Sequence, residues 1–204
     1  MKKADWYFDF ISPFAYIGLI RLERLANQVE IRYRPVLFAG LLNHWEQKGP
    51  AEIPAKRVWT YRWCTWWTAQ QGIAFRCPAV HPFNPLPYLR LALAAGCSAH
   101  AIGAIFQHLW TTGAPAEQGF EDLCADLEGD PAGLVEVKDA LRKNTEEAAA
   151  RGVFGVPSFV VDGEVFWGAD AVDFLKAFLR DQAVLRNDEM RRVDALPIGA
   201  ARRT

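Results

Sequence analysis

The chain has 204 residues, 51% hydrophobic and 23% charged, with a formal net charge of −1. That balance describes a globular chain long enough to bury a real core in one or two domains, and it excludes the strongly basic footprint of a nucleic-acid binder. No apolar run approaches the roughly 20 residues of a membrane-spanning helix.

The opening residues, Met1-Lys2-Lys3-Ala4-Asp5, lead into a strand-like segment without the apolar stretch of a signal peptide. A cytoplasmic protein that engages neither membrane nor nucleic acid is therefore expected. The four cysteines, Cys64, Cys77, Cys97 and Cys124, are far apart in sequence and form no Cys-x-x-Cys. This spacing excludes the usual zinc and dithiol motifs, so no metal site is expected, and each cysteine reads as a small packed residue of a reducing compartment.

Tyr7, Phe8, Phe10 and Ile11 predict a mostly buried strand. Ser12 then suits an N-cap and Pro13 the first position of a helix, whose apolar face steps through Ala15, Leu19, Leu22 and Ala26. "VEIRYRPVLF", Val29 to Phe38, predicts a second strand that ends or sits at an edge near Pro35. Strand, helix, strand implies a βαβ unit with a parallel pair.

From about Gly40 to about Arg151 the periodicity turns helical. The predicted segments are Ala55–Gln71, Leu86–Ala95, His100–Thr112, Gly119–Leu127 and Gly133–Arg151, broken by "KGPAEIP", "CPAVHPFNPLP", "TTGAP" and "EGDPAG". "SFVV" and "EVFW" then flank Asp162-Gly163, the strongest hairpin signal of the chain. A helix from Asp170 to about Leu179 follows, and the charged stretch from Arg186 onward reads as a mobile tail. The order β-α-β, helical block, α-β-β-α predicts a small α/β domain of residues 1–39 plus 152–185. A helical insertion of residues 40–151 interrupts it, and residues 186–204 trail it.

Two motifs can carry chemistry. At Ser12-Pro13-Phe14-Ala15 a helix N-terminus presents free N–H groups and partial positive charge, which favour an anion. The Ser12 hydroxyl can cap the helix, donate to a bound anion, or both. The Gly-x-Ser-x-Gly elbow of a serine hydrolase is missing, so Ser12 is not read as an acyl-transfer nucleophile. At Val156-Pro157, just before a predicted strand, the proline is either an ordinary trans residue at the strand start or a cis residue that exposes the backbone before it.

Taken as a pair, these motifs give the chain a pattern that resembles the thioredoxin fold. The large all-helical insertion makes it similar to the DsbA-like branch. In that branch a Cys-x-x-Cys occupies the first helix N-terminus; here Ser-Pro-Phe-Ala stands there, and dithiol exchange, which needs a thiolate, is excluded at this position. "FDFISPFAY" together with "GVFGVPSFVVDGEVFWGAD" resembles the 2-hydroxychromene-2-carboxylate isomerase family, kin of the kappa-class glutathione transferases.

The resemblance implies a bound glutathione whose sulfur lies at Ser12, beside Phe14. Helix terminus and serine hydroxyl would then favour thiolate over thiol. It further implies that Val156, before a cis Pro157, pairs backbone to backbone with the glutathione cysteine, and that Trp167-Gly168-Ala169-Asp170 holds the γ-glutamyl end. Asp170 would meet the ammonium and the last helix N-terminus the carboxylate; the plain alternative for Asp170 is a helix cap. The implied reaction is cis–trans isomerisation by transient thiolate addition to a conjugated, ring-opened aromatic-degradation intermediate.

For the substrate, Trp59, Trp63, Trp66 and Trp67 crowd one helix, with Trp59, Trp63 and Trp66 on one face. They read as core, as a homodimer contact, or as an aromatic wall for a planar electrophile. Lys56 and Arg57 could meet a carboxylate or the glycine end of glutathione, or stay solvated at the helix start, and His81 and Asn84 could touch substrate or form a turn. The chain departs from the family pattern at Glu52-Ile53, where Asn is common, at Ala171, where Arg is frequent, and in its own Pro-rich loop around His81. A kappa-like glutathione transferase and a non-catalytic thioredoxin-fold binding module stay open beside the isomerase reading.

Overall fold

The computed structural model describes residues 1–129 and 136–200. A mixed four-stranded sheet organises it. Strand β1 (Lys2–Phe8) pairs in parallel with β2 (Val29–Pro35) and antiparallel with β3 (Ser158–Val161), and β3 forms a hairpin with β4 (Glu164–Trp167), giving the order β2-β1-β3-β4. β1 is buried without a break from Ala4 to Phe8 because both faces of the sheet are covered. Pro35, which has no N–H to give to a ladder, ends the edge strand β2. Asp162 and Gly163 close the hairpin with φ of +51° and +89°, the left-handed pair that a two-residue turn requires.

The strand expected to reach Ile11 stops at Phe8, and the next residues form the loop into α1 (Pro13–Arg21). After Arg21 the chain tightens into a 3₁₀ turn, Leu22–Leu25. The period drops to three, so Leu22 and Leu25 are buried and Ala26, expected on the helix face, is exposed. The end of the "VEIRYRPVLF" run is also not strand: Phe38 starts a short helix, α2 (Phe38–His44).

The insertion continues with α3 (Pro54–Gln70), α4 (Leu86–Ala94), α5 (Ala99–Thr111), α6 (Phe120–Asp126) and α7 (Lys138–Ala150). The first residues of the predicted Gly133–Arg151 helix and part of "EGDPAG" lie outside the described residues, as do residues 201–204. After β4 come α8 (Val172–Arg180) and α9 (Asp188–Asp194). The stretch read as a tail thus contains a helix, capped by Asn187 Oδ1 accepting from Met190 N at 2.9 Å.

Trp6 and Phe8 on one sheet face stack at 4.6 Å. Phe106 of α5 lies 5.8 Å from Phe8 and 4.6 Å from Phe10. Insertion and α/β part therefore share one hydrophobic core, which also takes in Leu175 and Phe178 of α8. On the opposite face Tyr7 and Val160 pack with Leu41 of α2 and with Ala148 and Ala149 of α7. On that face, too, the buried Asp5 carboxylate accepts from Arg32 at 2.6 Å, Arg34 at 3.1 Å and Arg151 at 2.7 Å. These guanidiniums hold Asp5 below the usual carboxylate range against the opposing effect of burial. Among the described residues no helix is long and apolar enough to cross a membrane.

Candidate functional site

The site grows from the loop Asp9-Phe10-Ile11-Ser12. Asp9 is fully buried and its carboxylate accepts from Ile11 N at 3.0 Å and Phe38 N at 2.8 Å, tying the β1–α1 loop to the start of α2. Burial pushes its pKa up to about 7. The Asp9 carbonyl accepts from Ser12 N at 3.1 Å. From the insertion, Trp110 Nε1 donates to Phe10 O at 2.9 Å and His81 Nε2 lies 2.7 Å from Ile11 O.

Ser12 is the N-cap of α1: its Oγ accepts from Ala15 N at 3.2 Å, and Pro13 occupies the first helical position, where no N–H is needed. The same hydroxyl donates to Val156 O at 3.5 Å, at the outer limit of a hydrogen bond. Capping uses the oxygen's lone pair and leaves the hydroxyl proton almost uncommitted. Val156–Pro157 is cis. The Pro157 ring packs on α1 at Gly18, where an added Cβ would meet Pro157 Cγ at 3.1 Å. Among the described residues the Val156 N–H makes no hydrogen bond.

Pro157 O accepts from Gly168 N at 2.9 Å, which draws Trp167-Gly168-Ala169-Asp170 against the same corner. Gly168 has φ of +106°, backbone that a side chain would strain, and a Cβ there would displace the exposed Asp170 carboxylate. Asp170 is exposed and does not cap α8; Ala171 holds that position and offers no side-chain bond. The Asp170 carboxylate has no hydrogen-bond or ion-pair partner among the described residues. Trp167 is exposed and packs edge-on against Phe154 at 5.1 Å.

Helix α3 lies across this corner. It buries only Thr60, Cys64 and Thr68 of its 17 residues. Phe14 meets Trp63 at 5.5 Å, and Trp63 stacks with Trp59 at 6.3 Å and with Trp67 at 6.0 Å. The aromatic ladder therefore runs Trp59, Trp63, Trp67 at steps of four, and Trp66, expected on it, is exposed outside the stack. Arg21 covers the far end over Trp67 at 6.0 Å. Lys56 is exposed on the same flank, without an ion-pair partner among the described residues. Cys64 sits beneath, packed with Ile17 and Ala169; burial pushes its thiol up to about 12, so it supplies no thiolate.

The expected residues Ser12, Phe14, Val156, Pro157, Gly168, Ala169, Trp59 and Trp63 thus come together at one corner of the fold. His81 and Asn84 stand apart in role. Both ring nitrogens of His81 are occupied, Nε2 by Ile11 O and Nδ1 by Tyr61 Oη at 2.5 Å. Asn84 Oδ1 accepts from Leu86 N at 3.1 Å, forming the turn into α4. Glu52, at the departure from the family pattern, closes back on Gly49 N at 2.5 Å. Asp9, Tyr61 and Trp110 were not singled out from sequence, and Trp67 was placed off the face assigned to the other three tryptophans. Only Asp9 carries a signal there, as a lone carboxylate between two phenylalanines. The open cavity of about 420 Å³ lined by Leu19, Val29, Ile31 and Tyr33 lies elsewhere and includes none of these site residues.

The chain matches the DSBA-like thioredoxin domain family over residues 3–180. It is 32% identical to the 2-hydroxychromene-2-carboxylate isomerase of Sphingobium xenophagum over 197 residues, covering 88% of this chain and 99% of that protein. Glutathione S-transferase kappa 2 of Caenorhabditis elegans is 27% identical over 209 residues, 88% and 92% of the two chains. Among solved structures, a 2-hydroxychromene-2-carboxylate isomerase superposes with a TM-score of 0.73 over 92% of this chain and 98% of that one, at 22% identity. The cytosolic disulfide reductase DsbM of Pseudomonas aeruginosa shares the fold with a TM-score of 0.58 at 15% identity, over 87% and 98%. With a serine-capped helix N-terminus in place of a dithiol, on a DsbA-like frame matched along its length, the chain belongs to the 2-hydroxychromene-2-carboxylate isomerase family, kin of the kappa-class glutathione transferases.

Proposed function

We propose that this protein is a glutathione-dependent isomerase of the 2-hydroxychromene-2-carboxylate type, acting on a planar, conjugated aromatic-degradation intermediate in the cytoplasm. One observation carries the reading. The Ser12 hydroxyl spends its lone pair on the helix cap and keeps its proton on a 3.5 Å contact, so it is free to donate to an anion at the α1 N-terminus.

The residues present fit glutathione. The unpaired Val156 N–H and the Val156 carbonyl form a two-atom edge for a peptide backbone. The free Asp170 carboxylate suits an ammonium, and the tight Gly168 turn brings it close. When bound, glutathione supplies a nucleophilic thiol, which this chain lacks at the site. Ser12 and the α1 N-terminus lower the cost of negative charge at the bound sulfur. Phe14, Trp63 and Trp59 form a flat apolar wall for the conjugated substrate, and Lys56 stands on the same flank for its carboxylate.

A kappa-like transferase is the second reading. The tryptophan wall is open on one side, with Trp59 59% exposed, which would admit varied electrophiles. The exposed Val58 and Trp66 on the outer side of α3 suit a contact with a second copy of the chain.

The test is glutathione titration of the purified protein, following thiolate absorbance against pH, with Ser12→Ala beside it. Saturable binding with the thiol pKa well below its free value, raised by about one unit in Ser12→Ala, is expected. Absence of binding at millimolar glutathione overturns both glutathione readings in favour of a binding module without turnover. Glutathione recovered unchanged after turnover marks the isomerase, and glutathione consumed as conjugate marks the transferase.

A further inference from the structure

The Ile11–Ser12 peptide is pinned at both of its polar atoms. Its N–H, on Ser12, donates to Asp9 O at 3.1 Å, and its carbonyl, on Ile11, receives His81 Nε2 at 2.7 Å. A carbonyl oxygen only accepts, so Nε2 carries the proton. In the neutral imidazole Nδ1 is then an acceptor, and Tyr61 Oη at 2.5 Å must donate to it. His81 O lies 3.3 Å from the same Oη and shares its single proton only weakly, so the short contact to Nδ1 takes the bond. Trp110 at 5.4 Å and Phe83 at 5.7 Å fix the ring from the sides. Burial, with the Arg57 charge on α3, lowers the ring's pKa against the opposing bond to Ile11 O and favours the neutral form.

We propose that Tyr61 and His81 are positioning residues of the thiolate site. Tyr61 selects the Nε2–H tautomer of His81. His81 in turn fixes the plane of the Ile11–Ser12 peptide, and with it the direction of the Ser12 hydroxyl and the first free N–H groups of α1. The logic is that of an outer partner which sets the tautomer and aim of a working histidine; here the histidine aims a peptide. It makes the helical insertion a structural partner of the anion corner as well as a substrate wall. The inference deepens the proposed function and rests on it only for the identity of the bound anion, a glutathione thiolate.

The experiment uses the full chain and the variants Tyr61→Phe, His81→Leu and His81→Gln. With glutathione bound, His81→Leu is expected to raise the thiol pKa by about one unit, a tenfold loss of thiolate relative to thiol. His81→Gln, whose amide N–H can reach the same carbonyl, is expected to restore most of it. Tyr61→Phe gives an intermediate rise.

Nitrogen NMR of the free protein is expected to show a single Nε2–H tautomer in wild type and a mixture in Tyr61→Phe. A thiol pKa unmoved by His81→Leu, or a wild-type Nδ1–H tautomer, overturns the proposal. If wild type binds no glutathione, the functional reading fails and the relay is judged on the free protein alone. Hydrogen exchange of the Ser12 amide should then speed up at least tenfold in His81→Leu and return in His81→Gln; an unchanged rate refutes the relay.

Discussion

Replacing Asp9 by Asn should change the pH dependence of folding more than the fold itself. Asp9 has no solvent exposure, and its two oxygens accept only from the uncharged N–H groups of Ile11 and Phe38. Those bonds favour the carboxylate but do not outweigh its desolvation, and its pKa rises from 3.8 to about 7. The gap of about 3 units corresponds to about 4 kcal/mol at 1.36 kcal/mol per unit, an upper bound for a buried group.

The folded state holds this proton more tightly than the unfolded chain does. The group's contribution is therefore fully present below about pH 3.8, declines as pH rises toward 7, and is lost above that. Asn cannot titrate, and it keeps one carbonyl oxygen for one of the two N–H groups while its NH₂ faces the other. Urea unfolding of both proteins from pH 4.5 to 8 isolates the effect, because every other titrating group cancels in the difference. The Asn variant should gain about 2–4 kcal/mol relative to wild type across that range. A difference that stays constant with pH, or moves the other way, would show that Asp9 folds as a well-stabilised carboxylate and refute the reasoning.

Other substitutions probe the remaining elements. Gly168→Ala places a Cβ on a φ of +106° and against Asp170, so calorimetry should show a loss of about 1–3 kcal/mol together with weaker glutathione binding. Asp5→Asn leaves Arg32, Arg34 and Arg151 facing one another on the sheet; a loss of about 2–4 kcal/mol is expected in urea unfolding, with glutathione affinity unchanged. Trp59→Ala removes a ring that is mostly in solvent and stacks only on Trp63. Stability should move by about 0.5 kcal/mol or less, while KM for the electrophile rises several-fold at constant glutathione affinity.

The order of elements was legible because the signals were local. Ser12-Pro13 starts a helix by capping and by a fixed φ, Pro35 ends an edge strand, and Asp162-Gly163 folds a hairpin, each within a few residues of itself. Legibility failed where tertiary contacts decide. Phe38 reads as the end of a β run, yet its N–H is claimed by Asp9 and its chain turns into α2. Leu25 is buried and Ala26 is not because packing tightens α1 into a 3₁₀ turn, which no helical period foresees. The tryptophan ladder continues through Trp67 because Phe14 and Arg21 of α1 select that flank of α3. Tyr61 and Trp110 carry no local signal, and His81 reads only as a substrate contact or a turn: their roles are hydrogen bonds to partners 20 to 100 residues away.

On the proposed function, the corner lets a redox fold lack a thiol of its own and still use one. In a dithiol enzyme the α1 N-terminus stabilises a thiolate of the chain itself. Here the helix terminus, the Val156 backbone beside a cis proline and the loop clamps persist, while Ser12 offers a donor in place of a nucleophile. Cys64, packed beneath the site, has its thiol pushed up to about 12 by burial, so it offers no thiolate there. On the proposed function, Ser12 would thus decide that a visiting thiolate is held. Helix α3, with its stacked Trp59 and Trp63 and with Lys56 unpaired among the described residues, would decide which electrophile meets it, and so whether that thiolate leaves again. Variation along α3 should therefore change the substrate without disturbing the glutathione corner, and variation at Ser12 should do the reverse.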